Sequence, residues 1–338
     1  MAAVVLAGCG TDSAGPPLVF HFGPYALQPG QEDTDLCVAV TLHNTDTLFV
    51  SSVEMIGAPG IHHSNWFWVP NNTGTFGAFP EGSFSCSQGD GMGHPFDQQV
   101  AALFGGVLFA QSTQVTQDIQ QFPPGDAIRI PPDARIVANI HLLNASDHSI
   151  SVPLMLTLAT IPEKDVTTLM AGFSMENLGI ALPPMMASRF TVECDLSQNS
   201  GHVPLDFHFF HALAHYHQFG TGLTWEAVRD DGSGVDTIWS TTETIGDSLG
   251  GMLDPPFVMA GHSKLRLTCD YDNPGDTTIV WGNGGGEMCI AFGYTDSPYV
   301  WTAGLINTTD DPGTPTSDNG VADFTAPACT GVLAVSAN

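Results

Sequence analysis

The run ARIVANIHLL at residues 134–143 decides the fold class of this chain. It is rich in β-forming residues and follows the turn signal PPD at 131–133. Similar runs occur at 36–42, 48–53, 151–160, 188–194, 205–216, 222–229, 262–271 and 289–295. Proline and glycine clusters separate them, as is typical of short antiparallel strands. This pattern predicts an all-β chain of two sequential antiparallel β-sandwiches, jelly-roll-like in type.

The length of 338 residues suits two domains of roughly 150 residues each. Hydrophobic residues make up 43% of the chain, which is enough to form cores. The polar stretch IPEKD at 161–165 follows a long strand-like run and is interpreted as a linker. We therefore expect one domain at 18–160 and a second at 161–338. A single large β-structure is the alternative.

The charge balance is strongly acidic, with 35 acidic against seven basic residues and a net charge of −28. Such a charge repels phosphate backbones and anionic lipid surfaces, so nucleic acid is a poor candidate partner. The acids are scattered along the sequence. They indicate solubility or adaptation to salt rather than a binding site for cations.

The N-terminal tetrapeptide LAGC at 6–9 fits a bacterial lipobox, in which Cys9 would be lipidated. The apolar stretch before it is short and lacks the basic segment of a signal peptide. Either the start is assigned too late or the match is fortuitous. We expect residues 1–17 to be a truncated lipoprotein signal and tether. The chain would then be exported and would meet the membrane only through this anchor, since no later apolar run could span a bilayer.

Six further cysteines predict a disulfide framework, because an even number in an exported chain is typical of one. The sequence alone leaves their connectivity open. None forms a CxxC pair, which disfavours a zinc ribbon or a thioredoxin-like site.

Two motifs in the first half have metal-ligand character. The adjacent pair His62 and His63 follows a Pro-Gly dipeptide. Neighbours on a regular strand face opposite sides, so this pair can share one metal only at a strand end or a bulge. His141 lies within the run at 134–143, where a lone histidine is usually a hydrogen-bonded core residue. Each motif is weak by itself.

The second half contains His215-x-His217 and, within GGGEMC at 284–289, Met288. Residues i and i+2 of a strand share a face, so the two histidines can chelate one ion. The alternative is a polar strand face. Met288 is either a core residue or a soft ligand. Two imidazoles and a thioether suit copper, particularly Cu(I), better than zinc, calcium or magnesium.

In their order, these fragments resemble the copper type II, ascorbate-dependent monooxygenases, the family of peptidylglycine α-hydroxylating monooxygenase and dopamine β-monooxygenase. The shared order is an HH pair, a lone strand histidine, an H-x-H and a glycine-preceded Glu-Met-Cys, and it covers about residues 18–330. The resemblance implies two copper sites: His62, His63 and His141 for electron transfer, and His215, His217 and Met288 for oxygen activation.

The resemblance also implies the disulfides. The family brackets its HH motif with one disulfide, and it links the cysteine after its copper-binding methionine to a preceding strand. The pairs implied here are Cys37–Cys86, Cys194–Cys329 and Cys269–Cys289.

Three departures from the family concern the substrate. Leu213 stands where the peptide hydroxylase has an arginine that grips a peptide carboxylate, and Ile290 and Phe292 stand where it has an asparagine and a tyrosine. Ser64 stands where the family's HHM motif has its methionine. A glycine-extended peptide is therefore not supported. Leu213, Ile290 and Phe292 predict a pocket for an apolar or neutral substrate.

The implied function is hydroxylation of a C–H bond in a small-molecule or peptide substrate. It would use two copper ions per chain, dioxygen and a one-electron reductant such as ascorbate. No convincing Ser-His-Asp, P-loop or HExxH signature competes with it. The alternatives are a non-catalytic surface copper-binding lipoprotein for storage, delivery or sensing, an adhesive β-sandwich with incidental histidines, and calcium binding by the loop DYDNPGD at 270–276.

Overall fold

Strands form nearly all of the regular structure. The computed structural model describes residues 15–71, 78–91, 94–111, 115–199, 203–243, 249–282 and 285–337. The chain divides into two units, and the boundary along the sequence lies between Ala171 and Gly172. The all-β prediction is confirmed, and each unit is a β-sandwich.

The strands of the first unit follow the turn signals of the sequence. They are β1 (Leu18–Leu27), β2 (Glu32–Thr41), β3 (Leu48–Ile56), β4 (Ile61–Pro70), β5 (Gly82–Ser85), β6 (Gly106–Ala110), β7 (Gln117–Gln121), β8 (Asp126–Ile130), β9 (Ala134–Leu143), β10 (Ile150–Thr160) and β11 (Thr168–Leu169). One sheet has the order β1-β10-β3-β8-β11, with β7 also paired to β3, and the other has the order β5-β2-β9-β4-β6.

The core of the first unit lies between these two sheets. Phe22 of β1 contacts Trp66 of β4, with ring centroids 5.1 Å apart. Trp66 pairs with Ala138 of β9, so both side chains lie on the inner face of the five-stranded sheet. The opposite, outer face carries Asn139. The short helix α1 (Gln98–Phe104) lies on this face, and the side-chain amide of Gln98 donates a hydrogen bond to Asn139.

The strands of the second unit form two six-stranded sheets and a small ribbon. They are β12 (Ala171–Asn177), β13 (Ala181–Leu182), β14 (Met186–Asp195), β15 (His208–His215), β16 (Gly220–Arg229), β17 (Val235–Thr241), β18 (Gly250–Val258), β19 (His262–Asn273), β20 (Ile279–Val280), β21 (Ile290–Thr295), β22 (Tyr299–Leu305), β23 (Thr316–Asp318), β24 (Val321–Thr325) and β25 (Gly331–Ser336). The sheet orders are β18-β15-β21-β12-β22-β25 and β17-β16-β19-β14-β24-β23, and β13 pairs with β20.

An aromatic cluster fills the core of the second unit. The buried Trp225 of β16 contacts Phe209 of β15 and Phe173 of β12, with centroid distances of 4.8 and 5.7 Å. A side chain at Gly293 of β21 would crowd both Trp225 and Phe209, so glycine there makes room for the indole. The inner face of the sheet that contains β15 is thereby fixed.

Each of the nine strand-like runs of the sequence contains a strand. Most strand pairs are antiparallel, but β8–β11, β12–β22 and β14–β24 are parallel among the described strands. The units divide at 171/172 rather than at 160/161, because β11 pairs with β8 of the first unit. The stretch expected to be a linker contains a 3₁₀ turn at Glu163–Asp165.

Three disulfides join the same pairs that the family resemblance implies: Cys37–Cys86, Cys194–Cys329 and Cys269–Cys289. Disulfides of this number are typical of proteins that fold in an oxidising compartment, so the chain is an exported protein. Cys9, the expected lipidation site, lies outside the described residues. Within the described ranges, no helix has the length and apolar character needed to cross a membrane.

The segment proposed as a calcium alternative comprises the last residues of β19, which ends at Asn273, and the short connection that follows. The Asn273 side-chain amide donates to the backbone oxygens of Pro183 and Thr277, at 3.0 and 2.9 Å. The carboxylate of Asp270 pairs with Arg189 at 2.7 Å. These contacts favour the plain turn.

Candidate metal sites

Three imidazoles converge at the end of β4 and β9 in the first unit. One ring nitrogen from each of His62, His63 and His141 lies within 4.8 Å of the other two. The ring of His141 lies 4.3 Å from that of His62 and 5.1 Å from that of His63, between centroids. His63 and His141 are buried, and His62 is half-buried. Three imidazole nitrogens in this arrangement suit copper or zinc, and the set contains no oxygen ligand for a hard cation.

A β-bulge lets the two adjacent histidines act together. Ile61 pairs with Leu142, and the next pair along the strands is His63 with His141. His62 is therefore an extra residue in β4. An extra residue reverses the alternation of side chains, so His63 reaches the outer face on which His141 lies.

Two residues before the bulge, the backbone conformation favours glycine. Gly60 has a φ of +108°, a region that favours glycine. A side chain at this position would also collide with Ile150 and Val152 of β10. The Pro-Gly dipeptide thus marks an irregular entry into β4, two residues before the bulge at His62.

A carboxylate orients one imidazole of the first cluster. Nε2 of His141 lies 2.8 Å from Oε1 of Glu32, a half-exposed residue at the start of β2. A hydrogen on Nε2 donates to this carboxylate, so Nδ1 is the atom that would coordinate a metal. Carboxylate–histidine–metal arrangements of this kind fix the tautomer and raise the basicity of the ligand. No local pattern identifies Glu32 as a partner, because it lies 109 residues from His141 along the chain.

The pair His215 and His217 lies at the end of β15 in the second unit. Their ring centroids are 5.2 Å apart and the rings are perpendicular. Both residues are buried. The reason for their proximity differs from the expected one: β15 ends at His215, and His217 lies in the turn that Gly220 closes by donating to its backbone oxygen. The shared face of a regular strand was therefore the wrong explanation.

Glu287 fastens this turn to the segment that carries Met288. Its carboxylate accepts hydrogen bonds from the backbone N–H groups of His217 at 2.8 Å and Phe219 at 2.7 Å, and it also accepts one from the N–H of Met288 at 3.0 Å. The Glu287 side chain is fully buried. Burial raises the pKa of its carboxyl, while the three N–H donors oppose that shift. A buried group that bonds to both segments fixes one relative to the other.

Two further contacts hold the backbone of Met288. The hydroxyl of Tyr271 donates to its carbonyl oxygen at 2.7 Å, and the next residue, Cys289, is bonded to Cys269. The Nδ1 atom of His217 lies 2.9 Å from the carbonyl oxygen of Gly286. A hydrogen on Nδ1 donates to that oxygen, so Nε2 is the nitrogen that would coordinate a metal. The Met288 side chain is half-buried.

The residues of the expected substrate pocket form one strip. Leu213 of β15 pairs with Phe292 of β21, and His215 pairs with Ile290. Paired and alternate residues share a face, so Leu213, Ile290 and Phe292 lie on the face of His215, opposite the Trp225 core. Leu213 and Phe292 are buried, and Ile290 is half-buried.

The same strip continues to a second pair that sequence reasoning did not select. His211 pairs with Tyr294, with ring centroids 5.8 Å apart, and both side chains are buried. Burial lowers the pKa of His211 from 6.5 to about 4, so its imidazole is neutral at neutral pH. The only sequence signal for it was the density of histidines at 208–217.

The donor atoms of the two sites match the ligand preferences of copper, the metal that the resemblance implies. The first unit offers three imidazoles, and the second offers two imidazoles next to a fastened segment that carries a thioether. Nitrogen and thioether donors without carboxylates suit Cu(I) and Cu(II) rather than magnesium or calcium. The residues therefore fit copper, and the three imidazoles of the first unit fit zinc as well.

No protein-family model matches the chain, and no curated protein matches it. Among solved structures, the major capsid protein P2 from bacteriophage PM2 matches with 7% identity and a TM-score of 0.28, over 83% of this chain and 97% of that one. PNGF-II matches with 8% identity and a TM-score of 0.31, over 82% and 64%. The CBM22-1-CBM22-2 tandem domain from Paenibacillus barcinonensis Xyn10C matches with 10% identity and a TM-score of 0.18, over 84% and 92%. At these values the likeness carries no inference about function.

Proposed function

We propose that the chain is a copper-dependent monooxygenase that hydroxylates a C–H bond of an apolar or neutral substrate. The substrate would be a small molecule or a peptide, and the co-substrates would be dioxygen and a one-electron reductant such as ascorbate. The observation that carries the proposal is the convergence of His62, His63 and His141, which come from two strands far apart in sequence. The fastened Met288 segment beside the buried His217 supports a second, sulfur-containing site.

Copper at these two places would supply the redox chemistry: one oxygen atom of dioxygen enters the C–H bond and the other leaves as water, with two electrons and two protons added. The chain's own residues bind and orient. Glu32 holds the Nε2 proton of His141, and the Gly286 carbonyl holds the Nδ1 proton of His217. In each case the other ring nitrogen would be the one that binds the metal.

The apolar strip determines the proposed substrate class. Leu213, Ile290 and Phe292 offer no charge to a carboxylate, and the neighbouring His211 is neutral. An apolar or neutral group would thus be accepted beside His215, and a charged one would be disfavoured by desolvation.

We also propose that the exported chain is anchored by a lipid on Cys9 and has no other contact with the membrane. Its net charge of −28 disfavours nucleic acid and anionic lipid as partners.

A second candidate function is a non-catalytic surface copper protein for storage, delivery or sensing. It is favoured by the small exposed fractions of Leu213 and Phe292, 4% and 6%, because a protein without turnover needs no open surface beside the metal. Oxygen uptake separates the two functions: the storage protein would bind two copper ions but consume no dioxygen with ascorbate.

The test measures copper stoichiometry and ascorbate-driven oxygen uptake in the wild type, Met288→Ala and Met186→Ala. Met186 is a half-exposed methionine of β14 and serves as the matched control. We expect two copper ions per chain in the wild type and the control. Met288→Ala should bind Cu(I) more weakly at the second site and lose oxygen uptake. Unchanged copper content and unchanged uptake in Met288→Ala would contradict the second site.

A further inference from the structure

Arg129 differs from the other arginines of the described chain in having no carboxylate partner. The sequence contains five arginines, and four form ion pairs: Arg135 with Glu81, Arg189 with Asp270, Arg229 with Asp236, and Arg266 with Glu193. Within the described ranges, Arg129 forms no ion pair and no side-chain hydrogen bond. This is unexpected in a chain with 35 acidic residues.

The position of Arg129 in β8 keeps its side chain out of the core. Its neighbours Ile128 and Ile130 are buried, and Arg129 is half-buried. Alternation therefore directs it to the opposite face, where it pairs with Phe49 of β3. Phe49 is itself nearly inaccessible to solvent, so Arg129 has a buried apolar residue as its neighbour across the strands.

Arg129 lines a cavity of about 470 Å³. The other walls come from the stretches 45–49 and 160–163 and from Pro132. The volume lies in the range of small-molecule sites. Two acids, Asp46 and Glu163, also line the cavity; both are exposed, and neither pairs with Arg129.

We propose that this cavity binds a small organic monoanion whose two coplanar oxygens, as in a carboxylate or a singly ionised enediol, are bound by Arg129. A guanidinium presents parallel N–H donors that match such a pair of oxygens. Phe49 and the prolines at 132 and 162 provide apolar contact for the rest of the ligand. The exposed acids at the rim disfavour a dianion such as phosphate, because repulsion grows with the charge of the ligand.

The proposal is independent of copper, so it is tested on the metal-free full chain. Calorimetric titrations use acetate and glycolate as carboxylates, ascorbate as a singly ionised enediol under anaerobic conditions, and glycerol as a neutral control. We expect saturable binding of one anion per chain, weakened by salt, and no binding of glycerol. Arg129→Gln should weaken binding about 10- to 100-fold.

The matched control is Arg229→Gln, an arginine that lines a different cavity but is paired with Asp236. It should leave anion binding unchanged. Circular dichroism of Arg129→Gln checks that the fold is retained. Binding of ascorbate alone would assign the ionised enediol class, and binding of the carboxylates alone would assign a carboxylate ligand. Absence of saturable binding, or equal binding by Arg129→Gln and the wild type, would overturn the proposal. Neither result depends on oxygen uptake, so the failure of this site is distinguishable from failure of the monooxygenase function.

Discussion

The carboxylate of Glu287 accepts a hydrogen bond from the backbone N–H of His217 at 2.8 Å. Glu287, the residue before the predicted ligand Met288, thus holds the predicted ligand His217 in place. The two segments are 70 residues apart in sequence, and the buried carboxylate joins them without itself belonging to the donor set.

Replacement of this carboxylate should loosen the second site. Glu287→Gln offers one acceptor oxygen, whereas three backbone N–H groups point at the native side chain. An unsatisfied buried donor costs about 1–3 kcal/mol, so we expect the free energy of unfolding to fall by about 2–3 kcal/mol. Copper binding at His215, His217 and Met288 should weaken as well. Chemical denaturation and a chelator competition measure the two effects.

Glu54→Gln is the matched control, because Glu54 accepts a bond from the exposed side chain of Gln117. Its effect on the unfolding free energy should stay within about 0.5 kcal/mol. If Glu287→Gln behaved like this control in both measurements, the fastening role of Glu287 would be rejected.

Two disulfides of the second unit should have separable effects. Cys194–Cys329 spans 135 residues and Cys269–Cys289 spans 20. In the chain-entropy account, their removal costs about 5 and about 3 kcal/mol of stability. Only the Cys269→Ser/Cys289→Ser variant should also weaken copper binding, because Cys289 follows Met288 directly. Unfolding midpoints and copper content, measured on both double variants, test this. Equal loss of copper in the two would argue against a local role.

Glu32 should raise the copper affinity of the first histidine cluster. Glu32→Gln keeps a hydrogen-bond acceptor for Nε2 of His141 but removes the negative charge. We expect copper affinity at His62, His63 and His141 to fall about 10- to 100-fold. Chelator competition in a His215→Ala background reports this site alone. In the metal-free protein, ¹⁵N chemical shifts should show that His141 carries its proton on Nε2. A proton on Nδ1 instead would contradict the role assigned to Glu32.

His211 should make the metal-free protein sensitive to mild acid. Its pKa is about 4 in the folded state and 6.5 in the unfolded state, so the unfolded state binds a proton first as the pH falls. The stabilisation is fully present above about pH 6.5 and is lost progressively towards pH 4, at about 1.4 kcal/mol per pH unit. His211→Gln lacks this group, so its unfolding free energy should depend less on pH in that window. Parallel profiles for both proteins would show that His211 is not the group responsible.

Much of the fold could be predicted from the sequence because strands leave a local pattern. The run at 134–143 is β9 to the residue, and the Pro-Gly dipeptide before His62 marked the bulge. The order of histidines, methionine and cysteines, read through a family resemblance, gave both clusters of histidines and the disulfide pairs.

The remaining features depend on contacts that no local pattern encodes. The contacts of Glu32 with His141 and of Glu287 with His217 join segments that are 109 and 70 residues apart in sequence. The turn that places His217 was also missed, since an H-x-H spacing looks the same within a strand and at its end. The partnerless Arg129 could be recognised only once the partners of the other arginines were visible.

The bulge at His62 sets which face each later side chain of β4 occupies. The first histidine cluster and the core of the first unit therefore depend on the same strand register. Beyond it, Ser64, Trp66 and Trp68 of β4 keep to the face opposite His63. Loss of one residue there would exchange the two faces, turning tryptophans outward and the histidine inward. A change in the length of this strand would therefore remove the cluster and the core together.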